Sequence, residues 1–228
     1  MPRRFSDASF ARTALDGSTP AASRGEPGPF EIYVPRGYEP NYAYPLLIWF
    51  HDAGQNERVL HDIMSQVTDR NAVGLALRGE RVRRTGGFDW LGGDRPRRHT
   101  RLMAALRELR RDFHIHTERI ILAGQGSGAV PAIREIWNHP ESYGGLALFD
   151  ASWRSFPIEL HRRDALVGKP ALLDNRLGEI GHGREVASQL RAMGLDVTLQ
   201  HNRQCDIHHQ TCRTLDRWVL GAVCGVPV

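Results

Sequence analysis

From Phe30 onward the apolar residues fall into two alternating rhythms. Short runs predict strands at Phe30–Val34, Leu46–Phe50, Val73–Leu77, Arg119–Ala123, Leu146–Asp150, Ala171–Asp174 and Val197–His201. Several are near-continuously apolar, as strands covered on both faces must be. Between them a period near 3.6 predicts helices over Arg58–Arg70, Arg97–Phe113, Ser127–Asn138, Gly183–Met193 and about His208–Val223. Val59, Leu60, Ile63, Met64 and Val67 share one face of the first, and Leu215, Trp218, Val219 and Ala222 one face of the last. Strand and helix alternating this often imply an α/β sandwich with a mainly parallel sheet of about seven strands. Residues 1–28 are small, polar and without a period, and read as a flexible arm; residues 29–228 read as one domain.

Composition narrows the class. With 41% hydrophobic and 25% charged residues in 228, the chain is neither a disordered tail nor a collagen-like repeat. The longest apolar run, Pro45–Phe50, is strand-sized, so no membrane span is expected, and no secretory apolar core is visible. The three cysteines, Cys205, Cys212 and Cys224, are odd in number and point to a reducing, cytoplasmic setting.

The net charge of +4 raises the question of nucleic acid. The densest basic stretch, Arg78–Arg119, holds twelve arginines against six acidic residues. Within it Leu102, Leu106, Leu109 and Phe113 form an inner helix stripe, which puts Arg97, Arg98, Arg101, Arg107, Arg110 and Arg111 mostly on the outer face. No nucleic-acid-binding motif accompanies them, so the stretch reads as a solvated face without a nucleic-acid partner.

In parallel sheets ligands bind beyond the carboxyl ends of the strands, so the loops after them carry the functional information. The most specific is in Arg119–Val130, RIILAGQGSGAV: a strand, a glycine turn, a helix. As a dinucleotide fingerprint it offers Gly124, Gly126 and Ala129, with Asp150 as the ribose acid 21 residues after Ala129. As the nucleophile elbow G-x-S-x-G it offers Gly124 and Gly128 around a central Gly126. Chain position favours the elbow, because a dinucleotide fold opens with its fingerprint strand and here three strands precede it. The loop His51-Asp52-Ala53-Gly54-Gln55-Asn56 is likewise unexplained by a dinucleotide site.

The succession FEIYVP, PLLIWFHDAGQNE, AVGLALRG, RIILAGQGSGAVPAI, HPESYGGLALFDAS and KPALLDN resembles the phospholipase/carboxylesterase branch of the α/β-hydrolases, which includes acyl-protein thioesterase-like and dienelactone hydrolase-like enzymes. The likeness spans roughly Phe30 to Val223. It implies a three-layer α/β-hydrolase fold, no cofactor, a small ester-like ligand, and a Ser–Asp–His triad with backbone N–H groups as oxyanion donors. Carried over residue by residue, the nucleophile falls on Gly126, which has no side chain, and one oxyanion donor on the N–H of Ser127. The second donor is the N–H of about Ala53. The pocket is then bounded by His51, Asp52, Ala53, Gln125, Gly126 and Ser127, with Asp52 set against a developing negative charge. Alternatively Asp52 points away and caps the helix near Arg58.

The family's acid matches Gly178 or Glu179, with Asp174 as substitute, and its histidine falls near Cys205-Asp206, a helical turn before His208 and His209. A degenerate centre without catalysis is therefore expected. The alternative is an active ester or thioester hydrolase using Ser127, with His208 or His209 as base and Asp174 or Glu179 as acid. Cys205, His208, His209 and Cys212 recur at i, i+3, i+4 and i+7, a zinc-compatible set of residue types; a helix start with buried cysteines explains the spacing equally, and no metal is expected. Phe88, Trp90 and Trp153 line a pocket or pack loops.

Overall fold

The computed structural model describes residues 28–68, 70–90, 95–151, 166–176, 180–202, 210–223 and 225. Its strands are β1 (Phe30–Tyr33), β2 (Tyr44–Phe50), β3 (Val73–Leu77), β4 (Arg81–Val82), β5 (Phe88–Asp89), β6 (Ile115–Gln125), β7 (Gly145–Phe149), β8 (Pro170–Arg176) and β9 (Asp196–Asn202). The helices are α1 (Val59–Val67), α2 (Arg95–Asp112), α3 (Ala129–Asn138), α4 (Ile180–Ala192) and α5 (Gln210–Trp218), the last running on as a π-helical turn, Val219–Val223. Seven strands form one sheet in the order β1-β3-β2-β6-β7-β8-β9, antiparallel only between β1 and β3. With helices on both faces this is the three-layer α/β-hydrolase sandwich.

The alternation of side chains along β2 builds both layers. Leu46, Ile48 and Phe50 enter one core with Leu102, Leu106 and Leu109 of α2, Ile133 and Ile136 of α3, and Val186 and Leu190 of α4. Leu47 and Trp49 enter the other, against Leu60, Ile63 and Met64 of α1 and Leu215 and Trp218 of α5. All seven residues of β2 are buried, which is why its sequence shows no alternation.

The basic helix departs from expectation. Arg98 and Arg101 are buried rather than outward. Arg98 grips Glu80 through Nε at 2.5 Å and Nη2 at 3.0 Å, and Nη2 of Arg101 donates to the Arg78 carbonyl at 3.0 Å. Their guanidinium groups face the loop that follows β3, where fixed acceptors repay their desolvation. Trp90 is a packing residue: it is buried edge-on against Phe50, and its indole N–H donates to the His51 carbonyl at 2.7 Å.

Candidate functional site

β2 and β6 run side by side, with Phe50 opposite Gly124, so the loops after them open at the same sheet edge. The chain leaves β6 at Gln125, turns through the 3₁₀ segment Gly126–Gly128 and enters α3. Gly126 takes the left-handed conformation at φ +50°, which disfavours residues carrying a Cβ. On either side the backbones are in contact. A Cβ on Gly124 would lie 2.8 Å from Ala129 Cα, and one on Gly128 would lie 2.7 Å from the His51 carbonyl oxygen. A left-handed centre between two close backbone approaches is the geometry that the elbow reading of this turn expects.

The loop after β2 closes over that centre. His51 is fully buried, and its Nε2 accepts the Gly79 N–H at 3.1 Å. That leaves the ring proton on Nδ1, which donates to the Asp52 carbonyl at 2.8 Å. Gln55 Oε1 accepts the Asp52 N–H at 3.0 Å, and the Gln55 N–H returns to the Asp52 carbonyl at 3.1 Å. The β4–β5 hairpin braces the loop from outside, through Gly54 N–H to the Phe88 carbonyl and Phe88 N–H to the Gln55 carbonyl. Neither Gln55 nor Gly79 stands out in the sequence; each is defined only by what it bonds to.

Thus held, Asp52 points at the elbow. Its Oδ1 accepts the N–H of Ala53 at 2.6 Å and the N–H of Ser127 at 2.8 Å, the two backbone donors expected of an oxyanion hole. The carboxylate lies where a side chain on residue 126 would begin, with Oδ2 2.6 Å from the position a Gly126 Cβ would take. Asp52 does not cap α1, whose N-cap, Arg58, lacks a side-chain cap bond; the Arg58 N–H is taken by Asn56 Oδ1. The carboxylate therefore occupies the place, between the N–H groups of Ala53 and Ser127, that the resemblance assigns to an oxyanion hole.

The other expected residues are dispersed. Ser127 Oγ is buried and has no hydrogen-bond partner among the described residues. Asp174 lies within β8 and is buried. Glu179, His208, His209, Cys205 and Trp153 lie outside the described residues. Two histidines that the sequence does not single out, His182 and His201, sit at the start of α4 and near the end of β9; His182 Nε2 and His201 Nδ1 are buried without partners among the described residues. Cys212 is a buried free cysteine, and burial pushes its thiol up to about 12, so it is a packing group rather than a thiolate.

His99, Glu135 and His139 bring three metal-type ligand atoms within 4.8 Å of one another. The two imidazoles, however, stack with centroids 3.7 Å apart and planes 15° from parallel. Ring lone pairs lie in the ring planes, so these run side by side and do not converge on one ion about 2.0–2.1 Å from each nitrogen. The group is instead a strap between α2 and α3, with Glu135 Oε1 bonded to His99 Nδ1 at 2.6 Å and accepting the Tyr143 hydroxyl at 2.8 Å.

Burial holds the His51 pKa below its ordinary 6.5, outweighing the opposing backbone bond to Asp52 and the nearby carboxylates. The neutral ring is the folded form, so the stability it contributes is complete above about pH 6.5 and is lost as pH falls toward the folded value. Unfolding curves of wild type and His51→Gln should therefore converge as the pH falls below about 6.5. A difference that stays independent of pH there would show that His51 does not titrate on unfolding.

No protein-family model matches the chain, and no curated protein matches it. Solved structures do match. The Bacillus cereus carboxylesterase superposes with a TM-score of 0.65 at 20% identity, over 85% of this chain and 94% of that one. A carboxylesterase from Mesorhizobium loti gives 0.68 at 18% identity, over 86% and 96%. Esterase PE8 gives 0.62 at 18% identity, over 86% and 98%. The chain thus shares the fold of these esterases over nearly their whole length.

Proposed function

We propose that this chain is an α/β-hydrolase-fold protein of carboxylesterase/phospholipase type that has lost the serine mechanism and keeps the site at the sheet edge for a small-molecule ligand. One observation carries the reading: position 126 has no side chain, and Asp52 Oδ1 holds both backbone donors that a tetrahedral intermediate needs. Without a nucleophile the residual rate of a triad enzyme comes from the oxyanion hole and binding, and here the hole is already filled. The likeness in fold to carboxylesterases supports the ancestry. The dinucleotide alternative on Gly124, Gly126, Ala129 and Asp150 is not supported: the turn follows the third parallel strand, and the N–H a phosphate would use is bonded to Asp52. Burial and pairing of Arg98 and Arg101 argue against a polyanion face. No helix among the described residues is long and apolar enough to cross a membrane. The odd cysteine count remains the ground for a cytoplasmic setting.

The second reading, an ester or thioester hydrolase using Ser127, rests on the only hydroxyl in the turn. Against it stands the burial of Oγ. A serine-directed fluorophosphonate separates the two. The expected result is no labelling and no hydrolysis of short-chain aryl esters above background. Labelling that vanishes in Ser127→Ala would reverse the assignment.

A further inference from the structure

The corner where α4 meets the ends of β8 and β9 holds side chains that the Gly126 turn does not use. Asn175 of β8 and His201 of β9 are register neighbours, each two residues beyond a leucine, Leu173 and Leu199, that packs into the α4 core; both therefore face α4. Gly183, in the first turn of that helix, is buried against them. A Cβ there would lie 3.4 Å from His201 Cε1 and 3.4 Å from Asn175 Cβ. His182 precedes it, one turn before Val186 of the same core, so its ring also turns toward the sheet.

His182 Nε2 and His201 Nδ1 are enclosed and meet no hydrogen-bond partner among the described residues. His201 Cε1, the atom that touches Gly183, is bonded to Nδ1, so the enclosed nitrogen lies against the turn that carries His182. Both residues are partly exposed, and the outer nitrogens, His182 Nδ1 and His201 Nε2, are not among the enclosed atoms. A neutral imidazole has one N–H and one lone pair. With the proton on the solvated nitrogen, each ring turns a lone pair inward, where a missing partner is costly. The fully buried Asn175 does not supply one. Its carboxamide is used by Ala151, whose N–H it accepts at 3.3 Å and whose carbonyl it meets at 3.5 Å.

We propose that His182 Nε2 and His201 Nδ1 are two protein ligands of a divalent transition-metal site, with zinc as its occupant, that clamps α4 to β9. One ion accepts both inward lone pairs and so satisfies both nitrogens at once. Imidazole suits zinc, which imposes no geometry of its own, whereas magnesium and calcium take oxygen ligands. Among the described residues no third histidine, thiolate or carboxylate joins the pair, so water fills the remaining positions and the ion exchanges with solvent. β9 is the edge strand and stands three strands from β6, about 14 Å away. The site is thus separate from the Gly126 turn and does not depend on the loss of the serine mechanism. Its consequence is mechanical: a cross-link holds the first turn of α4 on an edge that pairs with β8 alone.

The test uses the full-length protein, stripped with a chelator and titrated with zinc. Histidines are modified with diethylpyrocarbonate and mapped by peptide mass spectrometry, a readout on the wild type that does not depend on how any variant folds. The expected result is that zinc protects His182 and His201 together and raises the melting temperature. His182→Gln and His201→Gln should each weaken zinc binding by about tenfold or more, at least what loss of a supporting partner costs a metal site. His99→Gln should leave it unchanged. Protection of only one of the pair, or protection confined to other histidines, would overturn the proposal. So would modification of both rings at the same rate with and without zinc, the result expected if only a water bridges them.

Discussion

Gly128→Ala is expected to destabilise the protein by about 3–5 kcal/mol, at the upper end of what single substitutions do. The reason is what an added Cβ would meet. It would press on the Phe50 carbonyl group and lie 2.7 Å from the His51 carbonyl oxygen, both backbone at the end of a central strand. A long side chain could swing away, but β2 is locked between β3 and β6 and cannot. The informative control is Gly37→Ala. That residue has φ +72° and nothing within 4 Å of its missing Cβ, so only local strain of about 1–2 kcal/mol is added. Urea denaturation of both variants checks the claim. Similar midpoints would mean that strand and helix do not approach closely at 128, and that the turn has room for a side chain.

Arg78→Met is expected to cost about 3–5 kcal/mol, because it strands a buried carboxylate. Glu57 is only 2% exposed, and the Arg78 guanidinium meets both of its oxygens through Nε, at 3.0 and 2.9 Å. The same guanidinium lies over the Phe88 ring at 4.8 Å, and the Arg78 carbonyl accepts from Arg101. Replacing both charges, as Glu57→Gln with Arg78→Met, should recover most of the loss, since the isolated charge rather than the missing pair is what destabilises. The double-mutant cycle measures this directly. A single variant within 1 kcal/mol of wild type would show that water reaches Glu57 and that the pair is an ordinary surface contact. Because Glu57 and Arg78 join the start of α1 to the end of β3, their loss should also loosen the loop that presents Asp52.

The architecture is written locally, and for that reason it can be read. Continuous apolar runs such as Pro45–Phe50 have one stable use, a strand buried on both faces, and the helices between them announce their inner stripes at Leu102, Leu106 and Leu109. Gly124 and Gly128 mark the elbow for the same reason: a missing side chain on both sides of a turn signals close backbone approach wherever the rest of the chain lies. Where the local signal is short or polar it fails. The two-residue strands β4 and β5 carry no period, and the start of β6, Ile115 to Arg119, alternates too weakly to distinguish from a loop.

What only the tertiary structure decided is the use made of charge. Arg98 and Arg101 sit at helix positions that look solvated, and they are buried because Glu80 and the Arg78 carbonyl come within reach from another element. Asp52 is the sharper case. Its sequence neighbourhood allows a helix cap or a charge set against the expected oxyanion position; it does not cap, and its carboxylate sits on the two donors of that position. It bonds to Ser127, 75 residues away, through space that exists because residue 126 is glycine. The physical reason is range. Backbone conformation and apolar period are set by residues within a turn or a strand, whereas a carboxylate is stabilised by whichever donors the fold brings to within about 3 Å of it.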